Sequence, residues 1–410
     1  MKDFFKGFYN PTDELLEEAW GSDGTLFVFD TNVLLNLYGY AEQTRGDFFD
    51  LLDSLGDKIW VPFHVGLEYQ RRRLEVIRDE KAIFNKINDN LEKIEKVFRG
   101  DFEQLALKRR FPKLHENTEK LNKDISKSIS SYKKSVTYWD DKQPCVRSHD
   151  SIREKLNELT DGRVGSPPES QEWLNEVYKE GEERYQNKIP PGYKDFNKSK
   201  SDDNTFSYNG LKYDRQYGDL ILWKQLIQKA KDEHVKNVIF VTDDSKEDWW
   251  YILESRGKKQ IGPHANLQSE IYREAALNIF HMYNTSTFLE SGKKILKLGV
   301  HDSSIKDAST MFLQSISRGT RELESRAAEK ELERKIFRKT LLTLKDYEKY
   351  KDLLVSYEYG SLNKEQVEEL KNRIKMRKQL IHHISRNNLK DPEKYLDEFE
   401  SEDDEADDDS

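Results

Sequence analysis

Thr25-Leu26-Phe27-Val28-Phe29-Asp30-Thr31-Asn32-Val33-Leu34-Leu35 is the stretch on which the fold turns. Its first part is apolar, rich in β-formers and too short for an ordinary helix, so it reads as a buried parallel strand tipped by a carboxylate, a hydroxyl and an amide. Open α/β sheets bind ligands beyond the carboxyl ends of their strands, which puts Asp30 where chemistry is done. Asp-Thr-Asn is equally good helix-capping material, and one such strand end does not separate the two readings. A second one, Asn237-Val238-Ile239-Phe240-Val241-Thr242 running into Asp243 and Asp244, favours a site.

The composition limits the alternatives. A chain of 410 residues has room for two or three domains, yet 35% of it is hydrophobic and 35% charged, so a sizeable core is expected in part of the chain and extended helices elsewhere. Cys145 is the sole cysteine, which excludes an intramolecular disulfide and fits a reducing cytoplasm. No run is apolar enough for a signal peptide or a bilayer span, so a cytoplasmic location without a membrane partner is expected. The net charge of -9 would discourage a nucleic-acid partner, but Asp397 to Ser410 holds ten acidic residues and no basic ones. Without that tail the chain is close to neutral.

Around the first strand, Asn10-Pro11-Thr12-Asp13-Glu14 reads as a helix start, and Lys58-Ile59-Trp60-Val61-Pro62 as a second strand. The helix that follows, from about His64, carries Glu68 a turn in among apolar neighbours; an ion pair with Arg71 or Arg72 is the plain structural reading of that acid. Phe84, Ile87, Leu91, Ile94 and Phe98 then form the seam of a coiled coil or helical hairpin, broken at Phe111-Pro112 and resumed by Leu121, Ile125, Ile129, Tyr132 and Val136. This predicts a projecting antiparallel arm. Loops are expected over Gly162 to Pro168, over Lys188 to Tyr213 and over Gly257 to Asn266. Tyr217-Gly218-Asp219 opens a further helix, and His281 reads as a packed histidine in a short strand.

Four acids stand out by position: Asp30 and Asp243 at strand tips, Glu68 and Asp219 near helix starts. Unit charges about 5 Å apart repel by roughly 3 kcal/mol at an effective dielectric constant of 20, so such a cluster needs a cation. Oxygen ligands without histidine or cysteine select Mg2+ or Mn2+ over Zn2+, and such a site suits phosphoryl chemistry.

Phe29-Asp30-Thr31-Asn32-Val33-Leu34-Leu35, Ile189-Pro190-Pro191-Gly192-Tyr193-Lys194-Asp195, Tyr217-Gly218-Asp219-Leu220-Ile221 and Phe240-Val241-Thr242-Asp243-Asp244-Ser245-Lys246-Glu247-Asp248-Trp249-Trp250 together resemble the PIN-like domain nucleases that carry a long helical insertion. The resemblance runs from about Phe5 to Leu289. It implies a three-layer parallel α/β sheet interrupted by a coiled-coil-like insertion and followed by a helical C-terminal region. The implied parts are a first sheet part at 1–74, the insertion at 75–187, a second sheet part at 188–292, charged helices at 293–396 and a disordered acidic tail at 397–410. Metal-dependent endonuclease activity is implied, on RNA in preference to DNA, of the kind found in toxins and antiviral defence. Asp30, Glu68, Asp219 and Asp243 match the four catalytic and metal-binding acids, with Asp244 a further ligand of Mg2+ or Mn2+.

Other folds fit less well. A haloacid-dehalogenase-type phosphatase would want an acid where Asn32 stands, and no glycine-rich turn follows Phe29 to cradle a nucleotide. Asn32, Arg71, Arg72, Lys194, Arg215 and Lys246 are the candidate nucleic-acid-binding groups, each with a surface ion pair as its plain alternative. Trp249 and Trp250 are expected to bury against the sheet rather than stack on bases. A different class stays open: an inactive PIN-like fold acting as a scaffold, with a protein partner or self-association through the arm or the C-terminal helices. The tail is expected to aid solubility, or to compete with nucleic acid for basic groups.

Overall fold

In the computed structural model, residues 1, 4–147, 149–194, 204–255 and 258–315 are described. In chain order they form α1 (Asp13–Gly21), β1 (Thr25–Phe29), α2 (Thr31–Asn36), α3 (Glu42–Leu55), β2 (Ile59–Trp60), α4 (Phe63–Arg99), α5 (Asp101–Gln104), α6 (Leu107–Arg110), α7 (Pro112–Lys142), α8 (Ser151–Leu159) and α9 (Gln171–Gln186). There follow β3 (Thr205–Tyr208), β4 (Leu211–Asp214), α10 (Gly218–Ala230), β5 (Asn237–Val241), β6 (Trp250–Glu254), β7 (Lys258–Pro263), α11 (Ala265–Glu274), β8 (Ile279–Tyr283) and α12 (Thr285–Leu296). Helical backbone continues over 302–315. The expected C-terminal helices beyond 315 and the acidic tail lie outside the described residues.

The organising element is a four-stranded sheet in the order β2-β1-β5-β8, parallel throughout. Every residue of β1 and β5 is buried, as expected of parallel strands covered by helices on both faces. Phe27, Phe29, Phe48 and Phe288 interlock with Trp20 on one side, where the Trp20 ring lies 5.4 Å from that of Phe288. Burying side chains of this size contributes about 1.5–3 kcal/mol each. On the other side Trp223 meets Phe280 edge-on at 5.6 Å.

Register brings the strand ends together. Phe29 is level with Val241, and Val241 with Tyr283. The Asp30 amide donates to the Val241 carbonyl at 2.9 Å and the Thr242 amide to that of Tyr283 at 2.9 Å. Asp30, Thr242 and Asn284 thus follow one another across the carboxyl edge, each at the head of a loop or helix.

The seam residues do pair α4 with α7: Ile129 and Val136 are buried, and Lys81–Asp140 (2.9 Å) and Lys133–Glu95 (3.8 Å) tie the two helices in antiparallel order. Pro112 stands at the start of α7, where its missing N–H costs nothing, and the chain turns earlier, through α5 and α6. Residues 75–187 do not behave as one arm. Ile152, Leu156 and Leu159 of α8 and Leu174 and Val177 of α9 belong to the same hydrophobic core as the sheet, and Val61 bridges Val164 beside β2. Helical spacing alone does not tell which neighbour an apolar stripe meets.

Two antiparallel hairpins, β3–β4 and β6–β7, are also present, with β3, most of β4 and β7 in stretches that the sequence predicts as loops. Their strands are short and largely exposed, so they lack the apolar runs that mark β1 and β5. Helix α2 also ends early, leaving residues 37–41 between it and α3.

Candidate active site

Asp30 is the N-cap of α2. One carboxylate oxygen accepts from the Thr31 amide at 2.6 Å; the other accepts from the Asn32 side-chain amide at 2.6 Å and the Thr242 hydroxyl at 2.7 Å. The capping and the chemical readings of this residue therefore hold at once. Burial pushes its carboxyl up to about 7; the Thr242 hydrogen bond opposes that rise, and the nearby Glu68 and Asp244 charges add to it.

Glu68 lies one turn into α4. Burial opposes its ionisation, but Arg72, His64 and the Thr31 hydroxyl outweigh that and hold it below the usual glutamate value. Arg72 is bound to it at 2.9 Å across one helical turn, so the ion pair foreseen from spacing is present. Asp244, on the loop after β5, accepts from the Lys246 amide at 2.9 Å and the Lys246 ammonium at 2.9 Å. Its own amide donates to the Thr242 hydroxyl at 3.0 Å, linking it to Asp30 through a single buried oxygen.

Asp243 is placed differently from the expectation. Its carboxylate accepts from the Thr285 amide and hydroxyl, both at 2.8 Å, and from the Asn36 side-chain amide at 2.8 Å. It is buried, which raises its pKa against those hydrogen bonds. Glu68 and Asp244 act on the Asp30 carboxyl, while the Asp243 carboxylate is taken up by Thr285 and Asn36. The cause is geometric: side chains alternate in direction along an extended chain, and adjacent acids cannot be told apart without knowing which side of the loop faces the helix.

Asp219 is carried in by α10. Gly218 packs so closely on the start of α4 that a Cβ there would stand 3.1 Å from His64 Nε2. Trp249 Nε1 donates to Asp219 at 3.4 Å, and Gly192, at φ +88°, passes close to Asp219 in a conformation that side chains disfavour. This explains the Pro-Pro-Gly turn in the sequence. Trp249 and Trp250 are buried, as expected. His281 is also packed, its imidazole lowered to about 4 by burial.

The candidate binding groups are mostly engaged. Asn32 is a hub, donating to Asp30 and accepting from the Asp243 amide at 2.9 Å. Arg72 and Lys246 neutralise Glu68 and Asp244, Lys194 pairs with Glu247 at 2.5 Å, and Arg71 lies over the Phe206 ring at 3.2 Å. Arg215 follows β4 and is exposed. Thr242, Asn36 and Thr285 were not singled out; the Thr-Asp-Asp run could have flagged Thr242, while the other two carry no local signal.

As the side chains lie, no three acidic, histidine or cysteine groups among the described residues stand close enough to enclose a metal ion. The donor set nonetheless fits a hard divalent cation in kind: oxygen ligands, one of them with its pKa raised by burial. Asp30 is held by a proton, and Glu68 and Asp244 by Arg72 and Lys246.

A stability prediction follows. The folded state keeps the Asp30 proton up to about pH 7, whereas the unfolded chain releases it near the ordinary value of 3.8. Stability therefore falls as pH rises between these values, by up to about 4 kcal/mol for this one group. Melting in chelator should show Asp30→Asn gaining on the wild type between pH 5.5 and pH 8. An unchanged difference would mean that the Asp30 carboxyl titrates normally.

A parallel sheet with acids gathered beyond its carboxyl ends is an α/β arrangement with its site at the strand ends. The family described as PIN like domain matches residues 26–267, more than half of the chain, and the chain belongs to that family. Its fold is therefore of nuclease type. No curated protein matches the chain, and no solved structure does. No described helix is long and apolar enough to cross a membrane.

Proposed function

We propose that this protein is a metal-dependent endonuclease that hydrolyses phosphodiester bonds, in RNA in preference to DNA. The observation that carries the reading is the buried Asp30 carboxyl, raised to about 7 beside Glu68 and Asp244 at the carboxyl edge of the sheet. Asp30, Glu68, Asp219 and Asp244 are the residues that would hold Mg2+ or Mn2+. When bound, the ion would supply a nucleophilic water at neutral pH and stabilise the charge that develops on the phosphate oxygens.

The chain's own groups prepare this. Thr242 and Asn32 fix the Asp30 carboxylate in one orientation, and the α4–α10 contact fixes Glu68 and Asp219 relative to each other. Arg72 and Lys246, released from their acids, stand where they can neutralise substrate phosphates. A role in toxins or antiviral defence rests on the family resemblance alone.

One observation favours the inactive scaffold: Glu68 and Asp244 already have counter-charges in Arg72 and Lys246. The two readings separate in an assay of internally labelled RNA and DNA with Mg2+ or Mn2+. The nuclease reading expects internal cuts, abolished by chelator and faster on RNA. No cleavage of either polymer at any metal concentration leaves the scaffold.

A further inference from the structure

Helix α7 packs on α4, burying Ile129 and Val136, and turns its other face outward. Between Lys120 and Lys134 that outward face is mainly basic. From Lys120 to Lys134 the helix carries five lysines and a single acid, Asp124. Lys133 pairs with Glu95 on α4. Lys120, Lys123, Lys127 and Lys134 are exposed and form no ion pair among the described residues. Their spacings of three, four and seven place them along one side of the helix, with Ser126, Ser130 and Ser131 beside them. A solvated helix face normally mixes both charges.

The stripe has extensions at both ends. Toward the tip, α6 adds the exposed Lys108, Arg109 and Arg110. Toward the sheet, Tyr138 and Trp139 are 54% and 50% exposed, with the Lys142 ammonium 4.7 and 5.3 Å from their ring centres. Cations in line along one helix match the phosphates of a polyanion.

We propose that the outer face of α7 is a docking track for the phosphate backbone of the nucleic acid whose cleavage is proposed above, a reading on which this inference rests. Helix α4 is the ruler between track and acids. Glu95, opposite Lys133, lies about 40 Å beyond Glu68 at 1.5 Å per residue. At 3.4 Å per nucleotide, a duplex reaches from the acids to Lys134 only beyond about 12 base pairs and covers Lys120 at about 18. The arm thereby selects substrates by length.

The test is equilibrium binding of RNA to the full chain in chelator, so that cleavage plays no part, with duplexes of 6 and 24 base pairs across a salt series. Lys123→Gln/Lys127→Gln/Lys134→Gln should weaken the 24-base-pair complex at least tenfold near 0.1 M salt. It should also make the slope of log affinity against log salt shallower by about 2–3, one phosphate contact per lysine. The 6-base-pair complex should change little, and the triple arginine variant should bind like the wild type. Unchanged affinity and slope for the long duplex would overturn the proposal, as would an equal loss on both lengths. A wild type that binds with this length dependence but never cleaves would sink the nuclease reading and leave the track standing.

Discussion

Asp244→Asn should lower the rate of RNA cleavage at least about a hundredfold, the effect of losing one metal contact worth on the order of 3 kcal/mol in the transition state. Asp30→Asn and Asp219→Asn should do the same. Asp243→Asn should behave differently. Its carboxylate holds the start of α12 through Thr285 and the end of α2 through Asn36. An amide in its place leaves a buried donor facing the Asn36 donor, at a cost of about 1–3 kcal/mol in stability. Cleavage rates and melting temperatures measured side by side separate the two acids. If Asp243→Asn abolishes cleavage without loss of stability while Asp244→Asn cleaves normally, the assignment drawn from the hydrogen bonds is wrong.

The second large effect lies away from the acids. Arg184 of α9 makes two bonds of 2.7 Å to Glu270 of α11, which also accepts from Trp223 Nε1 of α10 at 2.9 Å. Arg184 further donates to the Pro190 carbonyl at the head of the Pro-Pro-Gly turn. Burial disfavours both charges, and the pair outweighs it, so each holds the other ionised. Arg184→Met should cost about 3 kcal/mol, because it leaves the buried Glu270 charge with only the more distant Lys224, at 3.7 Å, as its partner. The double variant Arg184→Met/Glu270→Gln should recover part of that loss. Denaturant unfolding of wild type, single and double variants reads it directly; a loss below about 1 kcal/mol would show that the pair is solvent-screened. Since Arg184 joins the helix before the turn to the sheet domain, the single variant should also loosen the Gly192 contact with Asp219 and lower activity.

How much of this could be read in the sequence follows from the range of each signal. β1 and β5 were legible because strands buried on both faces leave continuous apolar runs, and their ends named Asp30 and the Asp243–Asp244 pair. The choice within that pair was not, since it depends on how a loop of a few residues turns. Glu68 was visible as an acid among apolar neighbours, and its Arg72 partner by helical spacing. The hairpins β3–β4 and β6–β7 were missed because exposed two-stranded ribbons need no alternating pattern. The joining of α8 and α9 to the sheet core rests on contacts such as Arg184–Glu270, whose partners lie far apart in the chain. For the same reason the arm's packed seam was plain, while the lysine face behind it gained meaning only once the seam's direction was known.

The central claim is that the acids at the sheet edge act through a divalent cation. Its most direct test is the single-turnover rate of RNA cleavage during a Mn2+ titration of chelator-stripped protein, wild type beside Asp30→Asn. The account predicts a rate that rises with Mn2+ to saturation in the wild type, returns to background in excess chelator and stays at background in Asp30→Asn at every concentration. Cleavage that persists in chelator, or an Asp30→Asn rate equal to that of the wild type, would contradict it.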